Sequence, residues 1–353
     1  MSAARTLRSV SELEEAGLVP EGSSQAEIAR VGERYAVAVT PAVAALIDNS
    51  DPDDPIARQF LPDAAELTAL AEERADPIGD LAHSPVEGIV HRYPDRALLK
   101  AVHVCPVYCR FCFRREMVGP TGLGTLTPEQ LDAAIDYIAT HPEIWEVILT
   151  GGDPLVLSAR RLSEIMQRLA AVDHVKVVRI HTRVPVVEPE RIDTDLVAAV
   201  KSSGKATYVA LHANHQKELT AEARAACARV IDAGIAMISQ TVLLKGINDD
   251  AETLAALMRA FVENRIQPYY LHHPDLAPGT SHFRLSLGEG RAIVERLRGH
   301  ISGLCQPTYI LDLPGGYGKV PVLSAAVREA DDGRYRIRDF RGEEHLYPPQ
   351  PED

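Results

Sequence analysis

Three cysteines, Cys105, Cys109 and Cys112, stand in the run Cys105-Pro-Val-Tyr-Cys109-Arg-Phe-Cys112, a C-x3-C-x2-C spacing. Thiolates are soft ligands that select zinc, copper(I) or an iron–sulfur cluster. A closed zinc site takes four ligands, and an ordinary iron–sulfur cluster takes four thiolates. No fourth cysteine is near. Three thiolates on a four-iron cluster would leave one iron open to a further ligand. The competing readings are a zinc site completed by a distant histidine, and three unrelated core cysteines.

A second reactive group is Lys319, which follows Pro314-Gly-Gly-Tyr-Gly in a chain where only seven of the 37 basic residues are lysine. A lysine amine can bond covalently to an aldehyde cofactor such as pyridoxal phosphate, and the glycines let backbone approach a ligand. The plain alternative is a solvated loop lysine. Gly151-Gly152-Asp153-Pro154 offers open backbone and a carboxylate that could accept from an ammonium; an ordinary turn with a helix cap explains it equally well. Asp275 and Asp312 together would suit a basic amine far better than an acid, or they are a turn residue and a cap. Arg114 or Arg115 could hold a carboxylate by a bidentate pair, or offset the charge of an anionic cluster. Phe111 could stack on a purine at the open iron or pack beneath the loop. His212, His215, His272 and His273 fall on different strand ends and are not read as zinc ligands. Cys227 and Cys305 read as core residues.

Residues so far apart need a scaffold that gathers them, and the rhythm of the chain supplies one. Strands are expected at 97–104, 147–150, 175–180, 207–211, 235–244 and 266–271, alternating with helices at 127–141, 159–172, 193–202, 221–233, 251–264 and 288–300. Such alternation implies a parallel sheet covered on both faces. The polar and glycine-rich residues recur just past the strands, where parallel barrels and doubly wound sheets bind ligands. Six units rather than eight predict an α/β fold with a partial, TIM-like (β/α)6 open barrel. Residues 1–85 read as an N-terminal helical extension without chemistry, with helices at 9–16, 25–48 and 56–74. Residues 86–302 read as the barrel core. Residues 303–353 read as a C-terminal segment carrying Lys319 and a mobile tail from Tyr347.

With 353 residues, 46% of them hydrophobic, the chain can bury a sizeable core. A net charge of −13 argues against nucleic-acid binding, which relies on Lys and Arg at phosphates. There is no apolar run of about 20 residues for a membrane span, and no signal-like segment after Met1. Five cysteines, three of them clustered, do not form a secreted disulfide framework. A cytoplasmic protein is expected.

Taken in chain order, several motifs resemble the lysine 2,3-aminomutases among the radical S-adenosylmethionine enzymes. They are His91-Arg92-Tyr93-Pro94-Asp95-Arg96, the cysteine run through Arg115, Gly151-Gly152-Asp153, His212-Ala-Asn214-His215, Gln240 and Pro314-Gly-Gly-Tyr-Gly-Lys319. The resemblance spans residues 5–345. It implies a [4Fe–4S] cluster on Cys105, Cys109 and Cys112, with S-adenosylmethionine on the open iron near His212 and Gln240. Phe111 and the Gly151-Gly152-Asp153 turn join the cofactor-binding residues. It implies pyridoxal 5′-phosphate as an aldimine on Lys319, seated with help from Arg92, Tyr93 and Arg96. Arg114 would bind the substrate carboxylate, and Asp275 and Asp312 the distal ammonium of lysine. A 5′-deoxyadenosyl radical would take hydrogen from C3, and nitrogen would move from C2 to C3 to give β-lysine. The implied partners are the amino acid itself and an electron donor such as flavodoxin or ferredoxin. A homo-oligomer is also implied. Relatives with zinc between subunits carry C-terminal cysteines. Here none follows Cys305 and Asp250 stands at a partner position, so no bridging zinc is expected. Ala213 and Gln216 depart from the family's usual Phe and Pro. Three other readings stand beside the lysine enzyme. One is the related enzyme that makes β-lysine for elongation factor P; another is an aminomutase for another amino acid such as glutamate. The third, from a different class, is a zinc-binding structural or regulatory protein.

Overall fold

The computed structural model describes residues 5–19, 24–118, 124–330, 332–339 and 341–349. One nine-stranded sheet follows chain order: β1 (Ile89–Tyr93), β2 (Arg96–Val102), β3 (Glu146–Gly151), β4 (Val177–Thr182), β5 (Ala206–His212), β6 (Ala236–Val242), β7 (Gln267–His272), β8 (Thr308–Leu313) and β9 (Gly318–Pro321). Strands β2 through β8 are parallel. Antiparallel partners close each end, β1 on β2 and β9 on β8. The order runs from β1 to β9 without returning on itself, so the barrel is open.

The six expected units are present, with Pro128–Ala139, Ala159–Ala170, Thr194–Lys201, Ala221–Asp232, Ala251–Glu263 and Leu287–Glu295 as the helices between parallel strands. Local chemistry sets their starts. Thr127 and Gln130 form a reciprocal capping box, as do Ser286 and Glu289, which satisfies amide groups that the first helical turn leaves open. Helix 159–170 buries Leu162, Ile165, Met166 and Leu169, an i, i+3, i+4, i+7 stripe that turns one face to the sheet. The strands answer with continuous buried runs such as residues 147–150, as expected for a sheet covered on both sides.

Three features differ from the sequence expectation. The 89–93 strand was not anticipated, because polar His91 and Arg92 interrupt its apolar residues. Helix 25–48 stops at Arg34, where Tyr35 turns extended. Helix 56–74 is a short helix, Pro55–Phe60, followed by a separate 3-10 turn, Ala64–Leu67. Leu61 precedes Pro62 and is extended (φ −88°, ψ 141°), the conformation that proline imposes on its predecessor. The extension nonetheless packs into the main core through Leu13, Ile56 and Phe60. Beyond residue 303, β8 and β9 belong to the main sheet, and Val327–Glu329, Tyr335–Arg338 and Glu344–Tyr347 form a separate antiparallel sheet. Tyr347 is buried there; of the expected mobile tail, residues 350–353 lie outside the described residues. No helix among the described residues is long and apolar enough to cross a membrane.

Candidate active site

The C-terminal ends of the parallel strands open onto one cavity of about 260 Å³. Every residue singled out for a cofactor or substrate lines it, except Arg115. Arg92, Tyr93 and Arg96 come from the β1–β2 hairpin. Cys105, Cys109, Phe111, Cys112 and Arg114 come from the loop after β2. Gly151, Gly152 and Asp153 follow β3, His212 ends β5, and Gln240 lies on β6. Asp275 follows β7, Asp312 is on β8, and Lys319 on β9.

The glycines also serve a purpose that was not expected. A Cβ on Gly151 would stand 2.5 Å from the Val102 carbonyl oxygen, and one on Gly152 would stand 2.3 Å from that of Val104. The missing side chains make room for the backbone that leads into Cys105. The Gly152 and Asp153 amides donate to those same carbonyls at 2.6 and 3.0 Å. Asp153 is likewise committed. Its carboxylate accepts from the Leu155 amide (3.0 Å), the Thr182 hydroxyl (2.7 Å) and the Arg183 amide (2.7 Å). It caps the turn and ties β3 to β4, and its carboxylate faces protein donors where an ammonium had been considered.

Burial raises all three thiols, Cys112 to about 11, with the neighbouring Cys109 adding to the effect. No disulfide joins them. Phe111 packs edge-on against Phe283, with ring centroids 6.2 Å apart, while also lining the cavity.

On β8 and β9, the Lys319 ammonium donates to both Asp312 oxygens at 2.6 and 2.8 Å. Its backbone amide donates to the Tyr93 hydroxyl at 2.7 Å. Gly318 has φ +91°, and a Cβ there would meet that hydroxyl at 2.8 Å, so only glycine lets β9 approach Tyr93 this closely. Asp312 also faces His272 Nδ1 at 3.2 Å. Burial opposes its charge, but Lys319 and His272 outweigh that and hold its carboxyl far below the usual range. Asp275 behaves oppositely. Burial and the nearby Asp312 charge push it up to about 8. Two carboxylates in one pocket have thus parted, one ionised against a cation and one inclined to keep its proton.

Sequence reasoning missed the residues that hold the arginines. Asp80 accepts from Arg92 at 2.8 Å and from Arg114 at 2.9 Å. Glu66 binds Arg110 through both oxygens, at 2.6 and 2.9 Å, and also binds Arg115. Arg115 is therefore a partner of the extension rather than a free carboxylate clamp. Arg114 keeps one nitrogen, Nη1, whose nearest partner is Thr150 at 3.5 Å. Arg96 lies over the Tyr93 ring at 3.8 Å and pairs with Asp95. Carboxylates in a segment without strand–helix rhythm gave no signal; the run of arginines after Cys109, which needs buried counter-charge, was the available one.

His181 Nε2, His212 Nε2, Gln240 Oε1, His272 Nε2 and Asp275 Oδ1 are buried without a protein partner, and all five residues line the cavity. Buried polar atoms are ordinarily paired, so this concentration marks a place built to meet a polar ligand. Burial and the Arg183 cation push His212 down to about 3, and burial lowers His181 and His272 as well. These are neutral imidazoles, able to donate or accept hydrogen bonds. His273 bonds the Tyr309 hydroxyl at 2.8 Å, and His215 caps a turn. The four histidines set aside as zinc ligands form no group with their ring nitrogens within 4.8 Å of one another; among the described residues the trio that does is Asp339, Glu343 and His345.

The donor set fits the expected groups. Soft thiols on one loop, a lysine amine on β9 and several unpaired polar atoms line the same cavity. Two family models match the chain: the radical SAM superfamily over residues 99–258 and lysine-2,3-aminomutase over residues 294–353. An L-lysine 2,3-aminomutase from Acetoanaerobium sticklandii is 40% identical over 325 residues, covering 92% of this chain and 78% of that protein. One from Clostridium subterminale is 40% identical over 315 residues, covering 89% and 75%. A glutamate 2,3-aminomutase from Clostridioides difficile is 37% identical over 315 residues, covering 89% and 74%.

Proposed function

The chain belongs to the lysine 2,3-aminomutase family of radical S-adenosylmethionine enzymes, and from that premise we propose that it interconverts L-lysine and β-lysine. The observation that carries the substrate is the Asp275–Asp312 pair at the Lys319 end of the cavity. The ionised Asp312 favours a distal ammonium, whose charge would draw the proton off Asp275, and would repel the distal carboxylate of glutamate. That is why lysine is preferred although a glutamate enzyme is among the relatives.

Cys105, Cys109 and Cys112 would hold the cluster, and Lys319 would carry pyridoxal phosphate on its amine. Together these groups and S-adenosylmethionine supply one-electron chemistry and a carrier for the migrating nitrogen; a donor such as flavodoxin or ferredoxin would bring the electron. The protein's own part is orientation and exclusion of water. Arg92 and Arg96, beside Tyr93, would seat the phosphate. Arg114, fixed by Asp80, would take the substrate carboxylate through its remaining nitrogen. Gln240 and the neutral His212 would hydrogen-bond S-adenosylmethionine. With its amine holding the cofactor, Lys319 would be drawn off Asp312, and Asp312 would be open to the substrate's distal ammonium beside Asp275. In the cofactor-free protein Lys319 itself fills that place.

The test is anaerobic incubation with S-adenosylmethionine, dithionite, pyridoxal phosphate and a panel of amino acids, with product analysis. β-Lysine from lysine is expected, with glutamate unchanged. Rearranged glutamate and untouched lysine would overturn the assignment of Asp275 and Asp312.

A further inference from the structure

Arg183 stands at the end of β4, next to Asp153, and none of the roles above uses its side chain. Its Nη1 donates to the Cys109 sulfur at 3.2 Å. Its Nη2 donates to Glu218 at 2.5 Å and to Gln59 at 2.6 Å. Each of these partners is itself pinned. Glu218 accepts the Asn214 and His215 amides at 2.7 and 2.9 Å, and Gln59 accepts from the Asn214 side chain at 3.0 Å. The guanidinium lies between the Phe60 and Phe111 rings, 4.9 and 5.4 Å from their centroids. Arg183, Glu218 and Gln59 are all buried, and Arg183 Nε has no protein partner.

This is more support than a structural arginine needs. A carboxylate alone would neutralise it; here a planar fork is held from one side so that its other side meets a thiol sulfur. Arginine suits this because its donors leave in fixed directions, whereas a lysine ammonium cannot serve both sides at once. Hydrogen bonds to cluster sulfurs and nearby charge are among the factors that set the reduction potential of an iron–sulfur cluster.

We propose that Arg183 is a positioning residue for the cluster: held by Glu218 and Gln59, it donates to the Cys109 thiolate and makes the cluster easier to reduce. The cation and its N–H favour the form with one more negative charge. The inference rests on Cys109 being a cluster ligand, as the proposed function has it.

The experiment is an anaerobic redox titration of the reconstituted protein with dithionite, following the reduced cluster by electron paramagnetic resonance, with iron content measured in parallel. R183Q removes the charge and the fork. Its cluster is expected to reduce at lower potential, by about tenfold or more in the reduction equilibrium, or about 59 mV for a one-electron couple. R183K, which keeps the charge but not both contacts, should fall between R183Q and the unaltered protein. If R183Q takes up no iron, R183K alone decides: a lowered potential supports the role and an unchanged one refutes it. A loaded R183Q with the potential of the unaltered protein overturns the proposal and leaves the functional reading intact. Failure of the unaltered protein itself to take up iron would overturn both, and so separates the two failures.

Discussion

The strand ends of the barrel set polar side chains on the cavity wall, and the segment before β1 sets polar side chains against the arginines, but the two sets are in opposite states. The strand ends supply His181, His212, Gln240, His272 and Asp275, each with a buried atom that lacks a protein partner. The earlier segment supplies Gln59, Glu66 and Asp80, each paired to an arginine. Among the described residues, no unpaired buried side-chain atom occurs before Arg92. The difference separates two tasks. Groups that must bind something that comes and goes are left unsatisfied, and groups that hold those in place are saturated. The extension, expected to carry no chemistry, thus holds three arginines that line the cavity, Arg92, Arg114 and Arg183.

The largest effect should come from breaking a saturated group. Glu66 is fully buried between Arg110 and Arg115. E66Q leaves two buried cations without their carboxylate and should cost about 3–5 kcal/mol of folding stability, read as a lower urea midpoint of the cofactor-free protein. A loss below about 1 kcal/mol, the range of exposed pairs, would erase the contrast between the two regions.

The contrast also marks what could be read from the chain alone. Residues 147–150 announced themselves as a strand because burial on both faces favours an unbroken apolar run. The cysteine spacing and the glycine turn before Lys319 were legible because bond geometry ties ligands to short spacings. Asp80 and Glu66 were not, since an ion pair across 34 or 44 residues leaves no local pattern. Gly151 and Gly152 were read as ligand room, whereas their space is taken by backbone from a strand that is adjacent only in the fold. Arg183 lies just past a strand, and its partners at 59, 109 and 218 meet only through the tertiary structure.

A smaller effect sharpens the unsatisfied side. The unfolded chain gives up the Asp275 proton near pH 3.9, and the folded cofactor-free protein gives it up near 8. Between these values the folded state holds the extra proton, so this group's contribution is fully present below about pH 4 and is lost as pH rises through 8. The slope is at most about 1.4 kcal/mol per pH unit. D275N cannot titrate and should show a flatter stability curve over that window. Parallel curves would mean that Asp275 is an ordinary ionised carboxylate.

The smallest effect is expected away from both regions. Arg161 and Glu164 pair at 2.9 Å on an outer helix and are partly exposed. E164A should change stability by only about 0.3–0.5 kcal/mol, measured in the same urea titration; a loss as large as that of E66Q would show that burial is not what distinguishes the pairs.

The role on which the rest depends is that of Lys319, in the same cavity as the cysteines, as the carrier of pyridoxal phosphate. It is tested most directly by reducing the cofactor-loaded protein with borohydride and locating the phosphopyridoxyl group by peptide mass mapping. The account predicts the label on Lys319 and its disappearance, together with the cofactor's visible absorbance, in K319A. A label on another lysine, or unchanged labelling of K319A, would contradict it.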